Sequence, residues 1–151
     1  MPISSSEIYL VMYWVVRKCT IECLIYLHSR IDTICVDDAI SDVAVERGNM
    51  EIIEYLHSLG YRFGLREIIN ASSCGHLPCI KYLAQFEDDD FMLTHADKLI
   101  RTAAYSGHLD IVEYMFDAAS LDACRIAFDN AQKNNHIDIV DFFTGAGIWN
   151  I

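Results

Sequence analysis

Proline and glycine are scarce in this 151-residue chain, at two and seven. A β-sandwich needs many such residues to turn its short strands, so the shortage favours helix. Basic residues are also few. Eleven Lys and Arg face 22 Asp and Glu, for a net charge of −11. Phosphate-binding surfaces need clustered Lys and Arg, so nucleic acid is disfavoured as a partner, as is an anionic membrane surface. Long apolar runs are missing as well. The longest, Ile8 to Val16 (IYLVMYWVV), is under half of the roughly 20 residues needed to cross a bilayer. Glu7 before it and Arg17-Lys18 after it are the wrong flanks for a secretory leader, so an intracellular location is expected.

Catalytic signatures are absent too. There is no GxSxG, P-loop, Rossmann glycine pattern or HExxH. No catalytic residue and no cofactor is expected. The six cysteines, Cys19, Cys23, Cys35, Cys74, Cys79 and Cys124, would suggest disulfides in a secreted chain. Without an export signal they read as reduced, mostly buried thiols. The apolar fraction of 53% supports a folded core, and the length suits a single domain over residues 1–151.

What the chain does have is repetition. Val43 to His57 (VAVERGNMEIIEYLH), Asn70 to Ala84 (NASSCGHLPCIKYLA), Ala103 to Phe116 (AAYSGHLDIVEYMF) and Asn130 to Thr144 (NAQKNNHIDIVDFFT) are variants of one phrase. Aligned on the turn before the second apolar run, one column reads Cys19, Gly48, Gly75, Gly107, Asn135. Seven residues later every copy has an aromatic: Tyr26, Tyr55, Tyr82, Tyr114, Phe142. Four residues before the turn stand Val15, Ala44, Ala71, Ala103 and Ala131. The spacing of about 27 to 32 residues is that of a solenoid array. Units are expected at about 8–31, 37–60, 65–87, 94–119 and 122–147.

Each unit reads as helix, turn, helix. In the fourth, Thr94 is placed as the cap of the first helix, with Asp97 favouring its first turn. Leu99, Ile100, Ala103 and Ala104 form one apolar face, and Gly107 breaks the helix because it takes positive φ without penalty. Leu109, Ile111, Val112, Met115 and Phe116 supply the second face, with Asp110 and Glu113 turned outward. The alanine column marks where helices cross closely, so Ala103→Leu should cost about 1–3 kcal/mol. Ser4 to Glu7 offers a capping box for the first helix of all.

The stretch Ala103 to Tyr114, AAYSGHLDIVEY, resembles the second half of the ankyrin repeat. Gly60 and Gly147, twelve residues past their turns, fit that family's second glycine. The resemblance covers about residues 8 to 148. It implies an all-α, helix-turn-helix solenoid of about five degenerate repeats. The family's TPLH tetrapeptide and its DG turn are missing, so its β-hairpins are expected to be reduced or absent. Such short units are similar to those of large DNA viruses and amoebae.

Candidate metal ligands read as architecture. His76, His108 and His136 share a column, but stacked helices lie about 8–10 Å apart, too far for them to share one zinc. Cys74 to Cys79 (CGHLPC) puts three zinc-type ligands in six residues but no fourth follows, and Cys79 aligns with the apolar column of Cys23, Ile52, Ile111 and Ile139. No metal site is expected. Glu87 to Asp90 reads as a solvated loop, with docking of a basic partner as the minority reading.

The resemblance implies a noncatalytic module that binds a protein through its concave face of first helices and loops. The two residues before each turn are those the family uses for contact: Arg17 and Lys18, Glu46 and Arg47, Ser73 and Cys74, Tyr105 and Ser106, Lys133 and Asn134. They vary while the columns around them do not. Tyr105 is the foremost anchor, since aromatics dominate binding hot spots. If the source is viral, a host-directed role in the host cytoplasm follows. The alternative is a self-assembling structural protein that dimerises through an apolar terminal unit, Ile8 to Val16 at one end or the region of Trp149 and Ile151 at the other.

Overall fold

The computed structural model describes residues 5–30 and 38–148. Its regular structure is helical, with no strand among the described residues. The chain divides into two compact units, Met1–Phe63 and Gly64–Ile151. The first holds α1 (Ser5–Lys18) with α2 (Ile21–His28), and α3 (Asp38–Glu46) with α4 (Met50–Ser58). The second holds α5 (Leu65–Cys74) with α6 (Leu77–Leu83), α7 (Phe91–Ser106) with α8 (Leu109–Met115), and α9 (Leu121–Lys133) with α10 (Ile137–Gly145). A 3-10 turn, Ala84–Phe86, follows α6. This is the all-α repeat architecture expected, and the links from α6 to α7 and from α8 to α9 carry no strand. Cys35, Trp149, Ile151 and the Ser4 end of the expected capping box lie outside the described residues, and the side chains of Ser5 and Ser6 are not described either.

The turn column explains itself in backbone terms. Gly48, Gly75, Gly107 and Asn135 all have positive φ, at 62°, 80°, 87° and 60°. The next residue then turns its N–H back to the carbonyl of the alanine column. Asn49 bonds Ala44, His76 bonds Ala71, His108 bonds Ala103 and His136 bonds Ala131, at 2.9–3.4 Å. This closure ends a helix on a left-handed residue and satisfies one of its orphan carbonyls. Gly60 and Gly147, also left-handed, close α4 and α10.

The four alanines are fully buried. In the second unit α5 packs on α7 and α7 on α9, so a small residue at the crossing lets the backbones approach. Around them Ile68, Leu99, Ile100, Ile111, Val112, Ile139 and Phe143 form the core. Ser72 is also completely buried, and its hydroxyl donates to the Leu99 carbonyl at 2.9 Å, tying α5 to α7. In the first unit α1 packs on α3 and α2 on α4, where the His28 ring meets the Tyr55 hydroxyl.

Two local expectations fail. The first concerns the opening pair. Cys19 does not have positive φ, because its Cβ makes the left-handed region costly, and α1 ends on an ordinary helical bond from Cys19 N–H to the Val15 carbonyl. Burial there shifts by one residue: Val16 and Leu24 are fully buried, while Val15 is half-buried and Cys23 exposed. The second concerns Thr94. The helix starts at Phe91, so Thr94 sits inside α7. Asp97 consequently serves the next pair: its carboxylate accepts the Ser120 N–H at 2.6 Å and the Ser120 hydroxyl at 2.8 Å. Ser120 in turn caps α9 by accepting the Ala123 N–H at 3.2 Å.

Candidate interaction surface

The residues of the turn that do not pack are the ones before the glycine. Helical geometry turns the alanine column into the core and leaves the pair preceding the turn on the rim. Arg17, Lys18, Glu46, Arg47, Ser73, Tyr105, Lys133 and Asn134 are exposed, and Cys74 and Ser106 are half-buried. Tyr105 is 61% exposed, the ring outward. Some of these side chains are occupied at home. Arg17 donates to the Tyr13 hydroxyl at 3.2 Å, and the Asn134 amide donates to the Asn130 carbonyl at 2.8 Å.

Within the second unit, Ser73, Tyr105 and Ser106 come together along an open groove of about 320 Å³. The Ser73 and Ser106 hydroxyl oxygens are 3.4 Å apart. Cys74, Lys133 and Asn134 do not line it. The rest of its wall comes from Lys98, Arg101 and Thr102 of α7 and Ile126 and Asn130 of α9. These five were not singled out from the sequence. The signal was there: Asn70, Thr102 and Asn130 stand five residues before their turns, and Arg66, Lys98 and Ile126 nine before, so the varied face of the first helix extends two turns beyond the pair. Ile126 is 44% exposed, an apolar floor on an otherwise polar wall.

The histidine column holds this face in place. The His108 Nε2 donates to the Ser73 carbonyl at 2.9 Å, and the His136 Nε2 to the Tyr105 carbonyl at 3.0 Å. A carbonyl only accepts, so Nε2 carries the proton in both. Each histidine caps its own second helix by position and reaches back to the pair of the preceding repeat. The backbone of the pair is thereby fixed while its side chains stay free to vary.

The expected burial of the cysteines holds for only two of the five described: Cys19 and Cys74 are half-buried and Cys23 is exposed, because the burial register at Cys23 shifts to Leu24. Cys79 and Cys124 are buried, and burial pushes the Cys79 thiol up to about 11 and raises that of Cys124. A thiol that resists ionisation is a poor zinc ligand, since the thiolate is the ligating form. Asp88, Asp89 and Asp90 are exposed in the loop before α7, and Glu87 is partly so. Among the described residues no helix is long and apolar enough to cross a membrane.

Fold and surface together define a chain of helix-turn-helix pairs, four of them closed by the same left-handed turn, with a varied rim. No protein-family model matches the chain. It is similar to an ankyrin repeat protein of Acanthamoeba polyphaga mimivirus, 29% identical over 126 residues that cover 79% of this chain and 21% of that protein. The chain therefore spans about a fifth of that relative's length. The likeness agrees with the ankyrin-like character of the helix pairs.

Proposed function

We propose that the chain is a noncatalytic module that binds a partner protein through the rim and first-helix face of its repeats. The observation that carries this is the placement of Ser73, Tyr105 and Ser106 in one groove, where histidine bonds to the Ser73 and Tyr105 carbonyls hold the backbone and the exposed side chains are left out of the core. The remaining pair residues, Arg17, Lys18, Glu46, Arg47, Cys74, Lys133 and Asn134, complete the proposed contact set, each at the equivalent place before its own turn. Likeness to a giant-virus ankyrin protein supports a host-directed role, in which the bound protein belongs to the infected cell.

The test is an affinity capture from host-cell lysate with immobilised wild type and Tyr105→Ala in parallel, quantified by mass spectrometry. The reading expects specific proteins held by the wild type and depleted on Tyr105→Ala, with the same melting temperature for both. Identical captured sets would contradict it.

A second reading rests on its own observation. On α1 the side chains of Leu10, Val11 and Trp14 are 54%, 45% and 56% exposed and line an apolar depression of about 300 Å³. An exposed apolar face of this kind suits pairing with a second copy. Light scattering at high micromolar concentration would return a dimeric mass that Trp14→Glu reduces to a monomer. A monomeric wild type would exclude this reading.

A further inference from the structure

The groove across α5, α7 and α9 is charged against the rest of the molecule. Acidic residues outnumber basic ones two to one in the chain, 22 to 11, yet the ionisable groups with formal charge at neutral pH along this groove are Lys98 and Arg101. They stand three residues apart on one face of α7, with Thr102 and Tyr105 one turn further on.

Neither cation is fully used. Lys98 is exposed, and its carbonyl is engaged by the Thr102 hydroxyl at 2.9 Å, while its ammonium meets no anion among the described residues. Arg101 donates Nε to the Asp97 carbonyl at 2.8 Å, which steadies the guanidinium and leaves its outer nitrogens open. The Asp97 carboxylate attracts Arg101 while each of its oxygens also accepts a bond from Ser120. Two like charges on one helix face repel each other, and an incoming anion relieves that repulsion. The guanidinium fork matches a carboxylate in two-point geometry. Beyond it, the Ser106 hydroxyl and the Asn130 amide offer hydrogen bonds, the Thr102 hydroxyl can still accept one, and Tyr105 and Ile126 offer apolar contact.

We infer that this groove takes an acidic protein segment, one or two Asp or Glu carboxylates seated on Lys98 and Arg101 with a neighbouring apolar side chain against Tyr105 and Ile126. The inference rests on the protein-binding reading above and adds the chemistry of the partner. Two cations are too few to hold a nucleic acid against a net charge of −11, since duplex binders neutralise many phosphates at once. Charges elsewhere on the chain are screened beyond about 8 Å at physiological salt, so contact in the groove is governed by Lys98, Arg101 and the Asp97 carboxylate beside Arg101.

The test is selection from a random peptide display library on the intact chain, followed by fluorescence anisotropy of the enriched peptides. Wild type is expected to enrich Asp- and Glu-containing peptides. Lys98→Glu/Arg101→Glu is expected to weaken those peptides at least about tenfold while the protein stays folded, with a melting temperature lowered only by the loss of the Arg101–Asp97 contact, and replacing the peptide carboxylates with amides should weaken binding likewise. Enriched basic or neutral peptides that depend on Tyr105 would overturn the acidic partner and leave the binding surface standing. Acidic peptides that ignore the double reversal would place binding elsewhere and overturn the inference. Enrichment of nothing above background would overturn both. A single-stranded oligonucleotide that binds and is lost on the double reversal would replace the protein segment with nucleic acid.

Discussion

His108 Nε2 lies 2.9 Å from the Ser73 carbonyl oxygen, and the same imidazole occupies the space that a Cβ on Gly75 would need. The relation repeats one unit on, where His136 bonds the Tyr105 carbonyl and packs against Gly107. Each glycine is thus required twice. Its φ of 80° or 87° disfavours an L side chain, and a Cβ would come within 2.6 Å of the histidine ring of the following repeat.

Gly107→Ala should therefore destabilise the chain by about 2 kcal/mol or more, combining backbone strain with the displaced ring. Gly145→Ala is the control. Gly145 lies at the end of α10 with nothing within 4 Å of an added Cβ, and its change should be neutral or stabilising by up to about 1 kcal/mol. Urea denaturation of the two variants beside wild type measures the contrast.

His108→Ala removes the bond to Ser73 and should cost about 0.5–1.5 kcal/mol. His108→Ala/Gly75→Ala should cost less than the sum of the single changes, because the clash at Gly75 depends on the ring that is removed. Additive losses in a double-mutant cycle would contradict the shared contact.

Asp97 links two repeats through a charge. Its carboxyl sits below the usual carboxylate range, chiefly because the Ser120 N–H and then the Ser120 hydroxyl bond its ionised form. A group depressed in the folded state contributes stability above its unfolded value of about 3.9 and loses it as pH falls through the lower folded value. Wild type should thus lose more stability than Asp97→Asn on acidification below about pH 4. At neutral pH Asp97→Asn should be less stable by about 1 kcal/mol, a modest figure because the pair is open to solvent. Thermal melts of both proteins from pH 7 to pH 2 give the two curves.

Thiol reactivity should divide by position. Cys23 is exposed, whereas Cys79 is buried with its thiol at about 11. Iodoacetamide at pH 8 should label Cys23 in the native protein and Cys79 only after denaturation, as read by peptide mass spectrometry.

The middle repeats were legible from their columns because those columns answer to backbone and packing demands that act locally. A left-handed turn asks for Gly or Asn, and a close crossing asks for Ala. The opening pair was harder to read. Cys19 occupies the turn column by alignment, but the left-handed closure that Asn135 tolerates is costly for Cys, and the burial register slips to Val16 and Leu24. Thr94 looked like a cap because a helix start is judged from neighbouring residues, and here the helix begins a turn earlier, at Phe91. The direction of the histidine rings was hidden for a different reason. His108 and Ser73 are 35 residues apart, and only stacking brings them together. The groove cations were visible as letters in the repeat, but nothing local distinguishes Lys98 and Arg101 from any solvated charge until α9 sets Ile126 and Asn130 beside them.

We propose that the repeat separates scaffold from partner-facing surface at residue resolution. The most direct test is a protease-resistance scan of all single substitutions from Ala103 to Gly107, read on the displayed protein by sequencing. Almost every change at Ala103, Ala104 and Gly107 should lower resistance, while Tyr105 should accept nearly any residue except proline. Sensitivity at Tyr105 equal to that at Ala103 and Gly107 would contradict it, and would make Tyr105 part of the scaffold.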